Sequence, residues 1–499
     1  MLLLGIDVGT TGVKAAVFDE TGVQKGYAFQ EYNILRPLPD YAEQDAEDIW
    51  CITKKIIKSS VKGFSREIKT LSLSVQGDAV IAVDSCRNAI SPAQLGMDYR
   101  GREESRFCAE QFGEEYLFQK TGIRPHPMNS IIKILWIRNH QLDLYEKAYK
   151  FVTYADFILG KLGSDQLVID YSMASRTMAF DAVTHTWSDE ILSALNISKE
   201  KLSTPVPSGT IVGSLSPSLA AELGMEPGTK LVSGGHDQPC AALGAGIIQE
   251  DMALDSHGSA EVLSTVFTNP QFNATMFHSY YPRSIHVIPN LYFTFSLNHT
   301  GGVSLKWFVE NFCQQDIAQA VLHKKQVYNY IIEHFPKAPA SVMVLPHFNG
   351  RGTPTCDLEA KGAFLGLTLS TDRFEIAKSI LEALSYELKL NLDHMQMAGI
   401  SIHQLRAVGG GARSPVGLQN KADILGIPVT TLKIREAACF GAAMLAGLAC
   451  SVYKTPQDTA NVVIPNTTYY PDWRTNSIYK EKYEVYSTLY RLLKNIPGK

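Results

Sequence analysis

The opening twenty-two residues limit the fold of this chain more than any later segment. Leu2 to Gly22 reads LLLGIDVGTTGVKAAVFDETG. One apolar run ends in Asp7-Val8-Gly9-Thr10-Thr11-Gly12, and a second, Val13 to Phe18, follows at once and ends in Asp19-Glu20-Thr21-Gly22. Two strand-like runs joined by a few small residues read as a β-hairpin. Gly9 and Gly12 let the backbone turn sharply and approach a ligand. Successive N–H groups in such a turn form a nest for phosphate oxygens. Asp7, at the strand end, is placed to hold Mg²⁺ directly or through water, because that ion takes oxygen ligands and keeps several waters. An ordinary hairpin with a glycine turn carries the same letters, so the rest of the chain has to decide.

The chain has 499 residues, more than one hydrophobic core accommodates. Its net charge of −4, from 46 basic and 50 acidic residues, suggests no nucleic-acid or membrane surface. The eight cysteines (51, 86, 108, 240, 313, 356, 439 and 450) are scattered without a C-x-x-C, and read as free thiols in a reducing cytoplasm. Met1-Leu2-Leu3-Leu4 runs straight into a Gly-Ile-Asp strand without a basic start or cleavage site, so no signal peptide is expected. No apolar run reaches the ~18 residues that span a bilayer.

Strand-like and helix-like patterns alternate through both halves, which indicates an α/β architecture. Leu71–Val75 and Val80–Val83 read as strands around Gln76-Gly77-Asp78. Residues 99–119 and 130–149 read as polar-faced helices. Leu231 to Ile247 starts as a buried strand and turns helical, and Gln249-Glu250-Asp251 then breaks the apolar pattern. The domain boundary is expected there, giving domains 1–248 and 249–499. The second half reopens with a strand and a Gly258-Ser259 turn. Residues 372–396 carry the clearest helical period, with Asp372 and Glu375 as a capping box.

Phosphoryl transfer needs positioned phosphates, a metal and a base for the acceptor hydroxyl. Asp237 ends the apolar strand Lys230–Gly235 and precedes a small-residue helix. It is either a base facing a cleft or a helix cap. Its neighbour His236 reads as a packing or hydrogen-bonding residue. Gly409-Gly410-Gly411-Ala412 follows the apolar Leu405–Val408 and lets a flat group such as adenine come close to the backbone. The pattern is neither G-x-G-x-x-G nor G-x-x-x-x-G-K-[ST], so any ATP binds between two domains rather than on a dinucleotide fold or a P-loop. Gln76-Gly77-Asp78 lies at a strand end where a polar pocket for hydroxyls would open.

Further segments carry a resemblance. Gly362-x-Phe364-x-Gly366-Leu367 followed by Glu375-Ile376-Ala377-Lys378-Ser379-Ile380-Leu381-Glu382 is similar to the C-terminal signature of the FGGY family of carbohydrate kinases. The stretch Gly409–Ala412 with Ser414, Gln419, Ala422-Asp423 and Gly441-Ala442-Ala443 resembles that family's adenosine-binding region. Val232 to Gln238 resembles its catalytic-aspartate segment, and Asp170 to Thr177, Gln44-Asp45 and Trp50 match other family stretches. The resemblance runs from about residue 2 to about residue 450. It implies two ribonuclease-H-like (actin-like ATPase) domains facing an interdomain cleft, with ATP and Mg²⁺. It implies Asp237 as the base, and Asp7, Gly9, Thr10, Thr11, Lys14, Gly258, Ser259, Gly302, Gly409, Gly410, Gly411 and Ala412 around the nucleotide, with Asp7 on the metal. Gln76, Asp78, Asp98, Arg100 and Gln238 would face the sugar, with Met128, Asn129 and Trp136 nearby. Asp98 and Arg100 also read as a surface ion pair.

Three departures from the family pattern stand out, and the last bears on the substrate. Gly96 stands where the family's Trp-x-Asp-x-Arg element has tryptophan. Gly350-Arg351-Gly352-Thr353-Pro354 replaces Gly-Glu-Arg-x-Pro, which changes the charge near the nucleotide side. Gln76-Gly77-Asp78 differs from the Gln-Met-His-Gly of a xylulokinase and the Gln-Arg-Glu of a glycerol kinase. A pentulose, a related ketose or a polyol is therefore expected rather than xylulose specifically. The competing readings are a non-catalytic ATP-binding scaffold or chaperone, and a sugar-responsive regulator; no basic helix-turn-helix precedes residue 2 to carry DNA binding. The resemblance leaves room for a homodimer.

Overall fold

The computed structural model describes residues 1–494. Two mixed sheets carry the chain. The first is built from β1 (Leu2–Val8), β2 (Gly12–Asp19), β3 (Gln24–Glu31), β4 (Ile68–Val75), β5 (Ile211–Ser214) and β6 (Lys230–His236). The second is built from β7 (Met252–His257), β8 (Glu261–Phe267), β9 (Ser284–Ile285), β10 (Tyr292–Asn298), β11 (Gln404–Gly409), β12 (Val429–Leu432) and β13 (Pro465–Tyr469). Spatial order is β5-β6-β4-β1-β2-β3 in one sheet and β9-β10-β8-β7-β11-β12-β13 in the other. Each sheet therefore repeats one core: three antiparallel strands, then two parallel to the first. The parallel strands β1, β4 and β6 are buried along almost their whole length, which is why they read as near-continuous apolar runs.

Small residues hold the two halves together. α1 (Ala46–Ser60) is capped by Asp45, which accepts from the N–H groups of Glu47 and Asp48. α2 (Asp237–Gly244) crosses a helix from the far end of the chain, α3 (Ala437–Ala449), which also lies on β1 and β4 of the first sheet. A Cβ on Gly244 would stand 1.9 Å from the Ala437 carbonyl oxygen, and one on Gly441 would stand 1.9 Å from that of Cys240. A Cβ on Gly5 would meet the Cys439 carbonyl at 1.8 Å. Backbone therefore touches backbone at the crossing, and any side chain there would force the halves apart. Gly441-Ala442-Ala443, expected near adenosine, is buried in this crossing instead.

Three helical expectations need correction. Residues 99–119 form two helices, Arg102–Phe112 and Glu114–Thr121, broken at Gly113 with φ +81°. Residues 130–149 split into Ser130–His140 and Leu142–Lys147, and every residue from Ser130 to Ile137 is buried. That helix is interior rather than polar-faced: Lys133 hides its stem and turns its ammonium onto the carbonyls of Pro127 and Met128. The long helix Arg373–Met397 is capped by Asp372, but Glu375 bonds the backbone and hydroxyl of Ser341 and does not close a capping box. All eight cysteines are free. Among the described residues no helix is long and apolar enough to cross a membrane.

Candidate active site

Strand register assembles the site. Val8, Val75 and His236 stand side by side across β1, β4 and β6. The next residue of each, Gly9, Gln76 and Asp237, therefore emerges at the carboxyl edge of the first sheet, where ligands of open α/β sheets bind. In the second sheet His257 pairs with Gly409, so Gly258 and Gly410 emerge together.

Asp237 is the first residue of α2, and its side chain is 29% exposed. The N-cap position belongs to His236, so capping does not occupy the Asp237 carboxylate. Burial pushes its pKa up to about 7; the nearby Asp7 and Asp78 carboxylates add to the rise, while the Gln238 N–H and Arg176 oppose it. A carboxylate poised there both takes and returns a proton near neutrality. The preceding backbone is pinned: the His236 N–H donates to Ser172 Oγ at 2.9 Å, and that hydroxyl donates to Asp170, which caps the short helix Tyr171–Ala174.

Thr10 and Thr11 form the tip of the first hairpin. Three contacts hold it: the Gln44 amide donates to Thr10 O at 2.7 Å, Tyr32 Oη to Gly9 O, and Gln76 Nε2 to Gly9 O at 3.3 Å. The Gly9 N–H is spent on Gly12 O, so the phosphate nest is narrower than the sequence suggests. Gly9 and Gly12 are not in the positive-φ region; Gly12 lacks a Cβ because Phe29 and the Gln30 carbonyl lie 2.6 and 2.9 Å from where it would stand. Asp7 accepts from Ser74 Oγ at 2.8 Å, and burial raises its pKa. Lys14, expected to meet phosphate, pairs with Glu436 at 2.8 Å. Glu436 is 422 residues downstream of Lys14 and carried no signal in the sequence.

Asp78, expected to face the sugar, is buried with φ +66°, a backbone region tolerated by Asp and frequent at functional sites. Its Oδ2 accepts from Arg176 Nη2 at 2.9 Å, while Asp78 Oδ1 and Arg176 Nε have no protein partner. Arg176 lies in a stretch noted for its family match, but with no role assigned. Gly96 faces Asp78, its Cβ direction 3.5 Å from the Asp78 Cβ. The amide of Gln76 is committed to Gly9 and Gln44. Gln238 follows Asp237 at the helix start, half-buried. Asp98 and Arg100 form a buried pair, not a surface one, and most of their polar atoms are spent on protein partners. Asp98 accepts from the Ala42 N–H at 2.7 Å and from Arg100, which also meets Glu43 and lies 3.5 Å over the Tyr41 ring. Trp136 packs in the core against Tyr41.

The second sheet faces a cavity of about 490 Å³ lined by Gly258, Ser259, Gly302, Gly410, Gly411 and Lys421, among others. Val327–Glu333 and the long helix close its far side with Tyr328, Asn329, Ile332, Leu381 and Leu384, none of which a glycine-centred reading finds. Gly302 opens the helix Gly302–Phe312 at the cavity wall, its own N–H donating to the Gly258 carbonyl at 2.9 Å, so less of this helix start is open to an anion than the sequence suggests. Gly409 and Ala412, expected here, do not line it: Gly409, at φ +89°, makes room for the His257 carbonyl, and Ala412 packs toward the core. Arg351 is likewise remote, buried against Glu387 and the Tyr490 ring. Gln419 bonds Asp423 and the Tyr470 carbonyl.

Two domain profiles cover most of this geometry. The N-terminal domain of the FGGY family of carbohydrate kinases matches residues 2–244, and its C-terminal domain matches residues 256–450. The chain belongs to the FGGY family of carbohydrate kinases. It is 25% identical over 505 residues to the xylulose kinase of Staphylococcus epidermidis, covering 99% of this chain and 97% of that protein. It is 26% identical over 501 residues to the gluconokinase of Bacillus subtilis, covering 99% and 96%. The ligand-bound xylulose kinase of Lactobacillus acidophilus superimposes with a TM-score of 0.89 at 22% identity, over 99% and 98% of the chains. The fold is thus that of the FGGY kinases, two α/β domains of the actin-like ATPase type, and the protein is a carbohydrate kinase.

Proposed function

We propose that this FGGY kinase transfers the γ-phosphoryl group of ATP to a hydroxyl of a neutral ketose or polyol, a pentulose being the first candidate, with Asp237 as general base. The observation that carries the reading is the Asp237 carboxylate: strand-end, reachable from solvent, with its pKa raised to about 7, and flanked by the half-satisfied Asp78–Arg176 pair. We divide the chain at 248/249, with the sugar on the first domain and the nucleotide in the cavity of the second.

Asp237 takes the proton of the acceptor hydroxyl as its oxygen attacks the γ-phosphorus, and ADP leaves. Thr10 and Thr11 meet the phosphates from one side; the Gly258-Ser259 turn, beside the start of the helix at Gly302, meets them from the other. Adenosine lies along Gly410 and Gly411. Asp7 is the residue that would hold Mg²⁺, and the ion when bound would supply charge neutralisation for the transferring phosphoryl group. Among the described residues no group of three or more His, Cys, Asp or Glu side chains is arranged to hold a metal. A single carboxylate suits Mg²⁺, which keeps waters and takes its remaining oxygens from phosphates. Asp7 fits, since its buried carboxylate gains from a nearby cation. Asp7→Ala should therefore weaken Mg²⁺-dependent turnover more than sugar affinity. Calorimetric sugar binding without nucleotide checks this; loss of sugar binding with a normal Mg²⁺ dependence removes Asp7 from the metal.

The gluconokinase relative makes an aldonate the competing substrate. Asp78 Oδ1 lacks a donor, so a hydroxyl satisfies it and a substrate carboxylate beside it repels it. Asp78→Ala should lower kcat/KM for the best substrate by roughly 1–3 kcal/mol and reorder the substrates, with the KM for ATP nearly unchanged. An unchanged rank order across ketoses, polyols and aldonates puts Asp78 outside the pocket. Coupled ADP release over the same panel tests the activity itself. A kinase is strongly dependent on the acceptor, whereas ADP release indifferent to every acceptor would favour the scaffold or regulator.

A further inference from the structure

Gly77 and His236 occupy one space from opposite sides. A Cβ on Gly77 would stand 2.7 Å from His236 Nε2 and 2.8 Å from Cδ2, with Arg176 Nε 3.8 Å away. The imidazole therefore fills the volume that any side chain at position 77 would claim. The ring is set rigidly. His236 ends β6, its N–H is tied to Ser172, and the residue is only 8% exposed. Its Nε2 lies 3.2 Å from Asp237 Oδ1. Burial, with Arg176 adding to it, holds the imidazole well below its ordinary pKa, so it meets the carboxylate as a neutral ring.

Building on the assignment of Asp237 as base, we propose that His236 is a positioning residue for that base, and that Gly77 is the glycine that admits it. The ring covers one carboxylate oxygen, limits the rotamers of Asp237 and keeps water from that side. The other oxygen is left to meet the acceptor hydroxyl. Burial is the largest cause of the raised Asp237 pKa, and the His236 ring supplies part of that burial. The charged groups facing Asp237 are Asp7, Asp78 and Arg176, and His236→Ala removes none of them.

A double-mutant cycle tests the pairing, with Asp237→Asn in parallel. His236→Ala should lower kcat about tenfold with the KM for ATP within about twofold, and move the acid limb of the kcat/KM profile down by about one pH unit, as the carboxylate rehydrates. Gly77→Ala should cost about tenfold or more in the parent, where its methyl meets the ring, and less than about twofold in the His236→Ala background. If Gly77→Ala alone fails to fold, recovery of a cooperative melt in the double variant is the same result. Equal costs of Gly77→Ala in both backgrounds, or a His236→Ala enzyme with an unmoved acid limb, overturns the proposal. Retained turnover in Asp237→Asn overturns the base assignment instead.

Discussion

Asp237→Asn should bind ATP and sugar as the parent does and lose roughly 10²–10⁴-fold in kcat, the usual contribution of a positioned general base. The amide keeps the volume and loses the proton acceptor. The parent's pH profile reports the same group. Only ionised Asp237 accepts a proton, and its pKa is raised to about 7, so kcat/KM for the sugar should rise about tenfold per pH unit below that point and level off above it. Stability moves the other way. A carboxylate whose folded pKa is raised binds its proton more tightly folded than unfolded, so its ionisation costs stability progressively as pH climbs from the unfolded value through about 7. The Asn variant should therefore melt no lower than the parent at pH 8. Retention of more than about a tenth of parental turnover takes Asp237 out of the mechanism.

Lys421→Met should unfold far more easily, by about 3–5 kcal/mol, the typical cost of breaking a buried ion pair from one side. Lys421 contacts Asp255 and lies 2.7 Å from Glu261, and all three side chains are buried. Their mutual attraction lowers the Glu261 pKa and raises that of Lys421. Methionine fills the stem volume but leaves two carboxylates facing each other in the core. The damage should reach the nucleotide. Glu261 also holds His257 Nδ1 at 2.9 Å, and the His257 ring stands 2.3 Å from where a Cβ on Gly411 would be. Denaturant unfolding and calorimetric ATP titration read the two effects. A variant within about 1 kcal/mol of the parent would show that the lysine does not compensate this pair.

Periodicity and turn letters made most of the architecture legible before any coordinates. The opening hairpin, the strand-to-helix passage at Lys230–Gly244 and the second glycine turn are local features, set by a few adjacent residues. Their order along the chain carried the family. Partners distant in sequence were not legible. Lys14 read as a phosphate ligand because its hairpin did, yet Glu436 reaches it across the helix crossing. Asp98 and Arg100 read as sugar-facing residues or a surface ion pair, and the sequence could not show that a tyrosine ring and a backbone N–H enclose them. The polar-faced reading of residues 130–149 failed for a related reason: a buried lysine spends its charge on carbonyls that the sequence cannot place beside it.

The sequence by itself determined which residues end strands, because a strand's period and its glycine breakers are written within a few residues. That was enough to mark Asp7, Gln76, Asp237, Gly258 and Gly410 as edge residues. Only the tertiary structure decided which edges meet and what each side chain there still has free to offer. Register across β1, β4 and β6 lined up Gly9, Gln76 and Asp237, and folding spent the Gln76 amide on the first hairpin while leaving Asp78 Oδ1 unpaired. Hydrogen-bonding capacity is a sum over neighbours in space, and those neighbours come from segments hundreds of residues apart.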